Sequence, residues 1–230
     1  MKNPFRELEI KEWCIYIFSL VVVVASNFFA PQIDFIKMAA TVGGVTALIF
    51  IAKGNVWGQV ITVLFGILYS IAALKTRYYS EIITYLGMTA PIAIFSIVTW
   101  IKNPYEKGKN VVKIRALTVK EFFFTLLLTA IVTAVFYFIL YALSTPNIVV
   151  STISIATSFA ASYLMLRRIS YYAVAFALND IVLIVLWSMS AVTDLSSLSM
   201  VACFLMFLIN DLYAFIRWKV REKQQRIQKK

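Results

Sequence analysis

The chain is divided into apolar runs that are each long enough to cross a lipid bilayer. A membrane-spanning helix needs about 20 apolar residues, because the hydrocarbon core is about 30 Å thick and each residue rises about 1.5 Å. Hydrophobic residues make up 61% of the sequence, against about half in soluble domains. The pattern predicts an all-α membrane protein with about eight transmembrane helices, at 13–30, 35–52, 56–74, 78–101, 122–143, 149–166, 172–189 and 195–218.

The basic residues are distributed unevenly between the two sides of these helices. Of 22 Lys and Arg residues, all but Lys37, Lys75 and Arg77 fall in segments on the side of the N-terminus. Because Lys and Arg accumulate on the cytoplasmic side, this predicts a multi-pass protein of the cell membrane with both termini in the cytoplasm. We therefore attribute the net charge of +11 to topology and to contact of the basic tail with anionic lipids, not to nucleic acid.

The sequence offers little for catalysis or metal binding. It contains no histidine, which removes the commonest metal ligand and proton relay. The two cysteines, Cys14 and Cys203, fall in separate apolar runs without the spacing of a zinc site or a disulfide framework. We expect no cofactor, no metal and no enzyme activity. An intramembrane protease that uses two carboxylates is the alternative enzyme class, but its catalytic loops are not recognisable here.

An internal repeat relates the two halves of the chain. The segment 53–57 opens a helix pair that ends at 99–102, and the segment 168–172 opens another that ends at 217–219, at an offset of about 115–118 residues. Each unit has three helices and so reverses the chain direction, which a single linker helix between the units restores. Two parallel bundles of this kind are a known transporter plan.

The predicted domains are an N-terminal cytoplasmic segment with an extra transmembrane helix (1–34), the first three-helix bundle (35–101), a basic cytoplasmic loop and linker helix (102–148), the second three-helix bundle (149–218) and a basic cytoplasmic tail (219–230).

Small residues and one proline mark places of unusual helix geometry. The sixth helix is rich in Ser, Thr and Ala between 151 and 162, and Gly54 and Gly58 form a GxxxG pair. Both patterns predict close approach of helix backbones. Pro91 lies inside the fourth helix and leaves the carbonyl of Gly87 without its usual partner, so we expect a kink, either as a hinge or as static packing.

Two Asn-Asp pairs, Asn179-Asp180 and Asn210-Asp211, interrupt the last two apolar runs. An ionisable residue in a membrane helix costs about 2.5–3.5 kcal/mol on insertion scales, so such residues usually serve a ligand or an ion. Counted from the cytoplasmic helix ends, both pairs lie about 10–12 Å deep. The predicted helices place no Lys or Arg at that depth. The pairs therefore predict a binding site for a cation; the alternative is hydrogen bonding that only joins helices.

Aromatic and polar residues are expected at the same depth. Trp187 follows Asp180 by about two turns and can share its helix face. An indole face and a carboxylate together suit a planar cation. The remaining predicted contacts are Tyr213, Gln59, Tyr69, Tyr85 and Thr89. Trp57, Trp100 and Trp218 lie at helix ends, where an interfacial aromatic belt explains them.

Several motifs in the order found here resemble the nicotinamide riboside transporter family of the PnuC type. The resemblance rests on the stretches 53–59, 68–69, 85–91, 100–104, 179–187 and 207–218, and the last two are similar to its Gram-positive branch. It covers about residues 50–220. It implies two parallel three-helix bundles joined by a linker helix, an arrangement similar to that of SWEET sugar carriers.

The resemblance also implies a function. It implies facilitated diffusion of nicotinamide riboside, which a cytoplasmic kinase then traps by phosphorylation. The predicted contacts for this ligand are Asn179, Asp180, Trp187, Asn210, Asp211, Tyr213, Gln59, Tyr69, Tyr85 and Thr89. Thiamine, and less well riboflavin, remain alternative substrates because relatives are associated with them. A helix bundle without transport activity is the other alternative, and a homo-oligomer is compatible with the apolar surface.

Overall fold

A computed structural model describes residues 4–29, 33–75, 78–106, 110–145 and 147–227. Arg77 and five of the basic residues assigned to the cytoplasmic side (Lys2, Lys107, Lys109, Lys229 and Lys230) lie outside these ranges. The described residues form eight main helices, three short 3₁₀ helices (Pro4–Glu7, Asn27–Phe29 and Leu195–Ser197) and no strand. The helices are α1 (Ile10–Ser26), α2 (Phe35–Ala52), α3 (Val56–Lys75), α4 (the consecutive segments Tyr79–Ile82, Ile83–Thr89 and Ala90–Lys102), α5 (Val119–Ala142), α6 (Ile148–Leu166), α7 (Tyr172–Ala191) and α8 (Leu198–Ile227).

The helices confirm the prediction of an all-α membrane protein. Seven of them, α2 to α8, are long and apolar enough to cross a membrane. The first predicted span corresponds to α1, which has 17 residues and carries the fully buried Glu12. Glu12 pairs with Lys53 at 2.8 Å and with Arg217 at 3.5 Å, so α1 is joined to the end of α2 and to the interior of α8. We call the side where α2, α4, α6 and α8 end the basic side.

The helices pack as two groups of three, α2 to α4 and α6 to α8, that lie side by side. Helix α3 packs against α2 and α4, and α7 packs against α6 and α8. Between the groups, α2 contacts α8 and α4 contacts α6. The first helix of each group therefore meets the last helix of the other, as two parallel bundles related by an axis along the membrane normal would. Helix α1 lies against α2 and α8, whereas α5 packs on α6 and buries few side chains. The domain boundaries given above stay a prediction.

The ends of α2 and α6 have matching backbone geometry. Gly54 and Arg168 adopt left-handed conformations, with φ of 69° and 62°. The next residue in each case donates its backbone N–H to a carbonyl five residues back, from Asn55 to Phe50 and from Ile169 to Leu164. This is the hydrogen bond of a Schellman cap. Equivalent caps at repeat-related positions support the internal repeat found in the sequence.

Two tryptophans at repeat-related positions join the bundles on the basic side. The Trp100 indole donates to the Met165 carbonyl at 3.3 Å, and the Trp218 indole donates to the Ile51 carbonyl at 3.0 Å. The two rings contact each other, with centroids 5.7 Å apart, and both side chains are almost fully buried. The prediction that these two residues form an interfacial belt is therefore wrong, because belt residues face lipid headgroups.

We expect Trp100→Phe and Trp218→Phe to destabilise the protein by similar amounts. Each change removes one indole donor and leaves a ring, so each should cost about 1 kcal/mol. Thermal unfolding in detergent, followed by circular dichroism, measures the two variants and the double variant. Because the rings touch, the destabilisation of the double variant should differ from the sum of the two single destabilisations. A loss in only one of the two variants would contradict the equivalence of the two contacts.

Candidate functional site

Helices α7 and α8 bring Asp180 and Asp211 together between the bundles. Both side chains are 2% exposed, and their carboxyl groups are close enough to interact directly. Asp180 Oδ2 and Asp211 Oδ1 are buried and have no hydrogen-bond partner among the described residues. Neither residue takes part in an ion pair within the described part of the chain. Two carboxylates this close repel unless a proton or a cation lies between them.

A small cavity adjoins this carboxyl pair. It has a volume of about 40 Å³, roughly the space of one water molecule. Residues from both bundles line it, so the cavity lies on their interface. The lining residues are Gly44, Ala47, Leu48 and Ile51 of α2, Thr62 and Phe65 of α3, Tyr85 and Thr89 of α4, Met165 of α6, Phe176, Asn179 and Asp180 of α7, and Phe207 and Asp211 of α8. A ligand larger than water requires these walls to separate.

The proline in α4 explains how Tyr85 and Thr89 reach this cavity. The segment Ile83–Thr89 is a π-helical turn, and the Ala90 N–H donates to the Tyr85 carbonyl five residues back. Pro91 has no N–H to continue the ordinary pattern, which favours the wider turn. Where the sequence predicts a kink, the structure has this π turn. Wider turns of this kind often occur at functional sites, and Thr89 Oγ1 is left buried without a partner there.

Asn179 is fixed by the helix that is rich in small residues. Its Oδ1 accepts a hydrogen bond from Thr157 at 2.8 Å, and the Ser154 hydroxyl lies 3.5 Å from the same oxygen. Because its carbonyl oxygen is held by α6, the side chain has a defined orientation at the cavity wall. Five predicted site residues therefore line one cavity: Tyr85, Thr89, Asn179, Asp180 and Asp211.

Tyr69 and Trp187 belong to a neighbouring polar cluster that is farther from the basic side. The Trp187 indole donates to the Tyr69 hydroxyl at 2.7 Å, and this hydroxyl donates to Glu81 Oε2 at 3.0 Å. Ser154 donates to the other Glu81 oxygen at 3.4 Å. The Tyr69 ring also packs on Tyr85, with centroids 4.3 Å apart. The cluster thus adjoins the cavity but does not line it.

Glu81 is the main polar residue that the sequence analysis missed. It is fully buried, three residues inside the predicted fourth span. The signal that identified the aspartates, an ionisable residue within an apolar run, applies to it equally. Three aromatic residues of the cavity wall, Phe65, Phe176 and Phe207, were missed for a different reason. In a chain this apolar, nothing in the sequence separates a cavity wall from ordinary packing.

The other three predicted contacts lie outside the cavity wall. Gln59 is fully buried, and both of its side-chain amide atoms lack a hydrogen-bond partner among the residues that the structure describes. Asn210 donates to Ser19 of α1 at 3.0 Å, and Tyr213 donates to Glu12 of α1 at 3.5 Å. Asn210 and Tyr213 therefore join helices in this structure, while their predicted role toward substrate stays a prediction. The described residues contain no group of three or more metal-ligating side chains.

Comparisons with known proteins agree with this architecture. The family model described as nicotinamide mononucleotide transporter matches residues 34–220. A relative from Neisseria mucosa, the nicotinamide riboside transporter PnuC, is 22% identical over 190 residues, which cover 80% of this chain and 72% of the relative. A solved structure, the crystal structure of the vitamin B3 transporter PnuC, superimposes with a TM-score of 0.84 at 21% identity and covers 95% of this chain and 94% of that one.

The three comparisons confirm the resemblance noted in the sequence. The structural likeness shows that the fold is that of an all-α membrane transporter, and the named relatives are transporters, in agreement with the prediction that the chain is not an enzyme. The match of the family model covers most of the chain, including both bundles and every predicted contact. The chain therefore belongs to the nicotinamide mononucleotide transporter family.

Proposed function

We propose that this chain carries nicotinamide riboside across the cell membrane by facilitated diffusion. The observation that carries the proposal is the buried pair Asp180 and Asp211, which has no basic partner among the described residues. Nicotinamide riboside carries a pyridinium cation, and a buried carboxyl pair supplies the charge that offsets it. The name of the Neisseria mucosa relative supports the same substrate.

The cavity walls supply the other features that such a ligand needs. Tyr85, Phe65, Phe176 and Phe207 offer aromatic faces for a planar cation. Asn179 and the unpartnered Thr89 hydroxyl can hydrogen-bond the carboxamide or the ribose. Since a cavity of about 40 Å³ is too small for a riboside, binding must accompany separation of the two bundles. Rocking of one bundle against the other would then expose the ligand to each side in turn.

The direction of net transport depends on how the protein is oriented in the membrane and on what happens to the riboside after it enters. We propose that the basic side faces the cytoplasm, because Lys and Arg residues concentrate there. A cytoplasmic kinase that phosphorylates the riboside would hold its free concentration low and keep the gradient inward. In this scheme the carrier needs no ion gradient.

Uptake into proteoliposomes tests the substrate and the mechanism together. At a clamped membrane potential, we expect saturable entry of labelled nicotinamide riboside that is unchanged by an imposed Na⁺ or H⁺ gradient, because the electrochemical gradient of the cationic riboside alone drives it. Unlabelled riboside should compete, and liposomes without protein are the control. Saturable entry of thiamine or riboflavin without entry of the riboside would refute the substrate and leave the family intact. A strict requirement for an ion gradient would refute facilitated diffusion.

A further inference from the structure

A second, larger pocket opens on the basic side. Its volume is about 470 Å³, within the usual range for small-ligand sites. Three separate segments form it: the connection between α4 and α5, the turn between α6 and α7, and the part of α8 that continues beyond the predicted span. We call it the basic pocket. Its lining residues are Asn103, Lys113, Ile114, Arg115, Ala116, Thr118, Arg168, Glu222, Gln225 and Arg226.

The lining charge of the basic pocket is predominantly positive. Four cationic side chains face one carboxylate, that of Glu222. This carboxylate is already neutralised, because it pairs with Arg226 at 2.7 Å and with Lys219 at 3.2 Å. Lys113 and Arg168, by contrast, form no ion pair within the described ranges. The pocket therefore presents a net positive charge to any occupant.

Buried hydrogen-bond donors in the pocket also lack acceptors. Gln225 is 7% exposed, and its Oε1 accepts the Ile114 backbone N–H at 3.1 Å. That bond fixes the orientation of the amide, and the donor Nε2 has no partner among the described residues. The Arg168 Nε is likewise buried and unpartnered. Buried donors are normally satisfied, so two unpaired ones in one pocket indicate a missing acceptor.

We propose that the basic pocket binds a phosphate monoester. A phosphate monoester offers three terminal oxygens and close to two negative charges, which match several convergent donors better than a carboxylate does. Arginine in particular binds phosphate oxygens through two parallel N–H groups. The phosphate group can belong to a soluble phosphorylated metabolite or to the headgroup of a lipid. This inference is independent of the transported vitamin, because it concerns a site that the cavity between the bundles does not share.

An occupant of this pocket would connect parts of the chain that otherwise belong to different units. Lys113 and Arg115 precede the linker helix, whereas Arg168 follows α6 and Gln225 lies in α8. The backbone already joins these parts weakly, through the Arg115 N–H and the Arg168 carbonyl at 2.9 Å. A bound phosphate would add charge-assisted hydrogen bonds across the same contact.

Thermal unfolding of the full-length protein in neutral detergent tests the proposal. The probes are inorganic phosphate, adenosine monophosphate and phosphatidic acid in mixed micelles, each compared with chloride and acetate at matched ionic strength. We expect at least one phosphate probe to raise the Tm by about 5 °C at saturation, because a ligand stabilises the state that binds it. A response to soluble phosphates identifies a metabolite site, and a response to phosphatidic acid alone identifies a lipid site. The absence of a specific rise with all three probes would overturn the proposal.

Three variants separate a built site from general attraction to positive charge. Gln225→Glu keeps the acceptor for Ile114 and replaces the free donor with a negative charge, so the rise should disappear. Arg168→Asn removes one cation and places at this position a residue that tolerates a positive φ. The rise in Tm should disappear in this variant too. Lys223→Gln removes one exposed charge from the same helix outside the pocket and should keep the full rise. An equal loss in Lys223→Gln would show non-specific attraction and overturn the site.

Discussion

Asp180→Asn and Asp211→Asn should each reduce riboside uptake by about 10- to 100-fold while leaving the fold intact. A hydrogen bond to a charged group is worth about 1.5–3 kcal/mol, and about 1.4 kcal/mol corresponds to a factor of ten. The Asn side chain has nearly the same shape as Asp and can donate to the remaining carboxylate. The substitution also removes the repulsion between two buried acids. We therefore expect lower transport together with unchanged or slightly higher Tm, a combination typical of functional residues.

Matched measurements distinguish this outcome from a structural role. Asp194→Asn makes the same chemical change outside the cavity wall, at a half-exposed residue that pairs with Lys37 at 3.4 Å, so it measures what the loss of an ion pair alone does to uptake. Uptake by this control should stay near the wild-type level. Uptake assays and thermal unfolding are performed on the same purified samples. Normal uptake by both site variants would show that the carboxyl pair is not used by the substrate, and loss of folding would show that the pair joins helices.

Gly58→Ala should destabilise the protein by about 1–3 kcal/mol, the usual cost of overpacking. A Cβ at Gly58 would lie 2.7 Å from the Ile51 backbone nitrogen and 2.9 Å from the Ala47 carbonyl oxygen. These are backbone atoms of α2, which cannot turn aside as a flexible side chain can, so α2 and α3 would have to separate. Thermal unfolding in detergent measures the effect.

Gly43→Ala is the matched control for this prediction. It makes the same change in the interior of α2, where a Cβ would have no atom within 4 Å. Replacing Gly with Ala within a helix gains about 0.5–1 kcal/mol when space allows. Gly43→Ala should therefore be neutral or stabilising. Equal effects of the two substitutions would contradict close packing of α2 on α3 as the reason for the glycine at 58.

The depth of the site could be predicted from the sequence, but its orientation could not. Counting residues from the helix ends placed both Asn-Asp pairs at one depth, and the structure brings Asp180 and Asp211 together there. Consecutive residues differ by about 100° around a helix. Asp211 therefore faces α7 while Asn210 faces Ser19 of α1. In a helix that is apolar on every side, no periodicity indicates which side faces the partner.

The same limit applies to Trp187 and to the tryptophans at the helix ends. Trp187 was placed on the face of Asp180 by its spacing, yet two turns along the helix carry it past the cavity to Tyr69. Position at a helix end predicted an aromatic belt for Trp100 and Trp218, but burial between the bundles depends on contacts between residues far apart in the sequence. The composition and the internal repeat predict two bundles. Only the tertiary structure shows which side chains lie between them.

The hydrogen bonds between the bundles must break before the closed cavity can open. On the basic side, Trp100 and Trp218 hydrogen-bond across the two bundles; on the opposite side, Tyr69–Trp187, Glu81–Ser154 and the Tyr78 hydroxyl on the Leu186 carbonyl do the same. Both sets of contacts are formed in this structure. In the proposed rocking of the bundles, one set of contacts holds while the other breaks, so the relative strength of the two sets would determine which side the empty protein prefers to face.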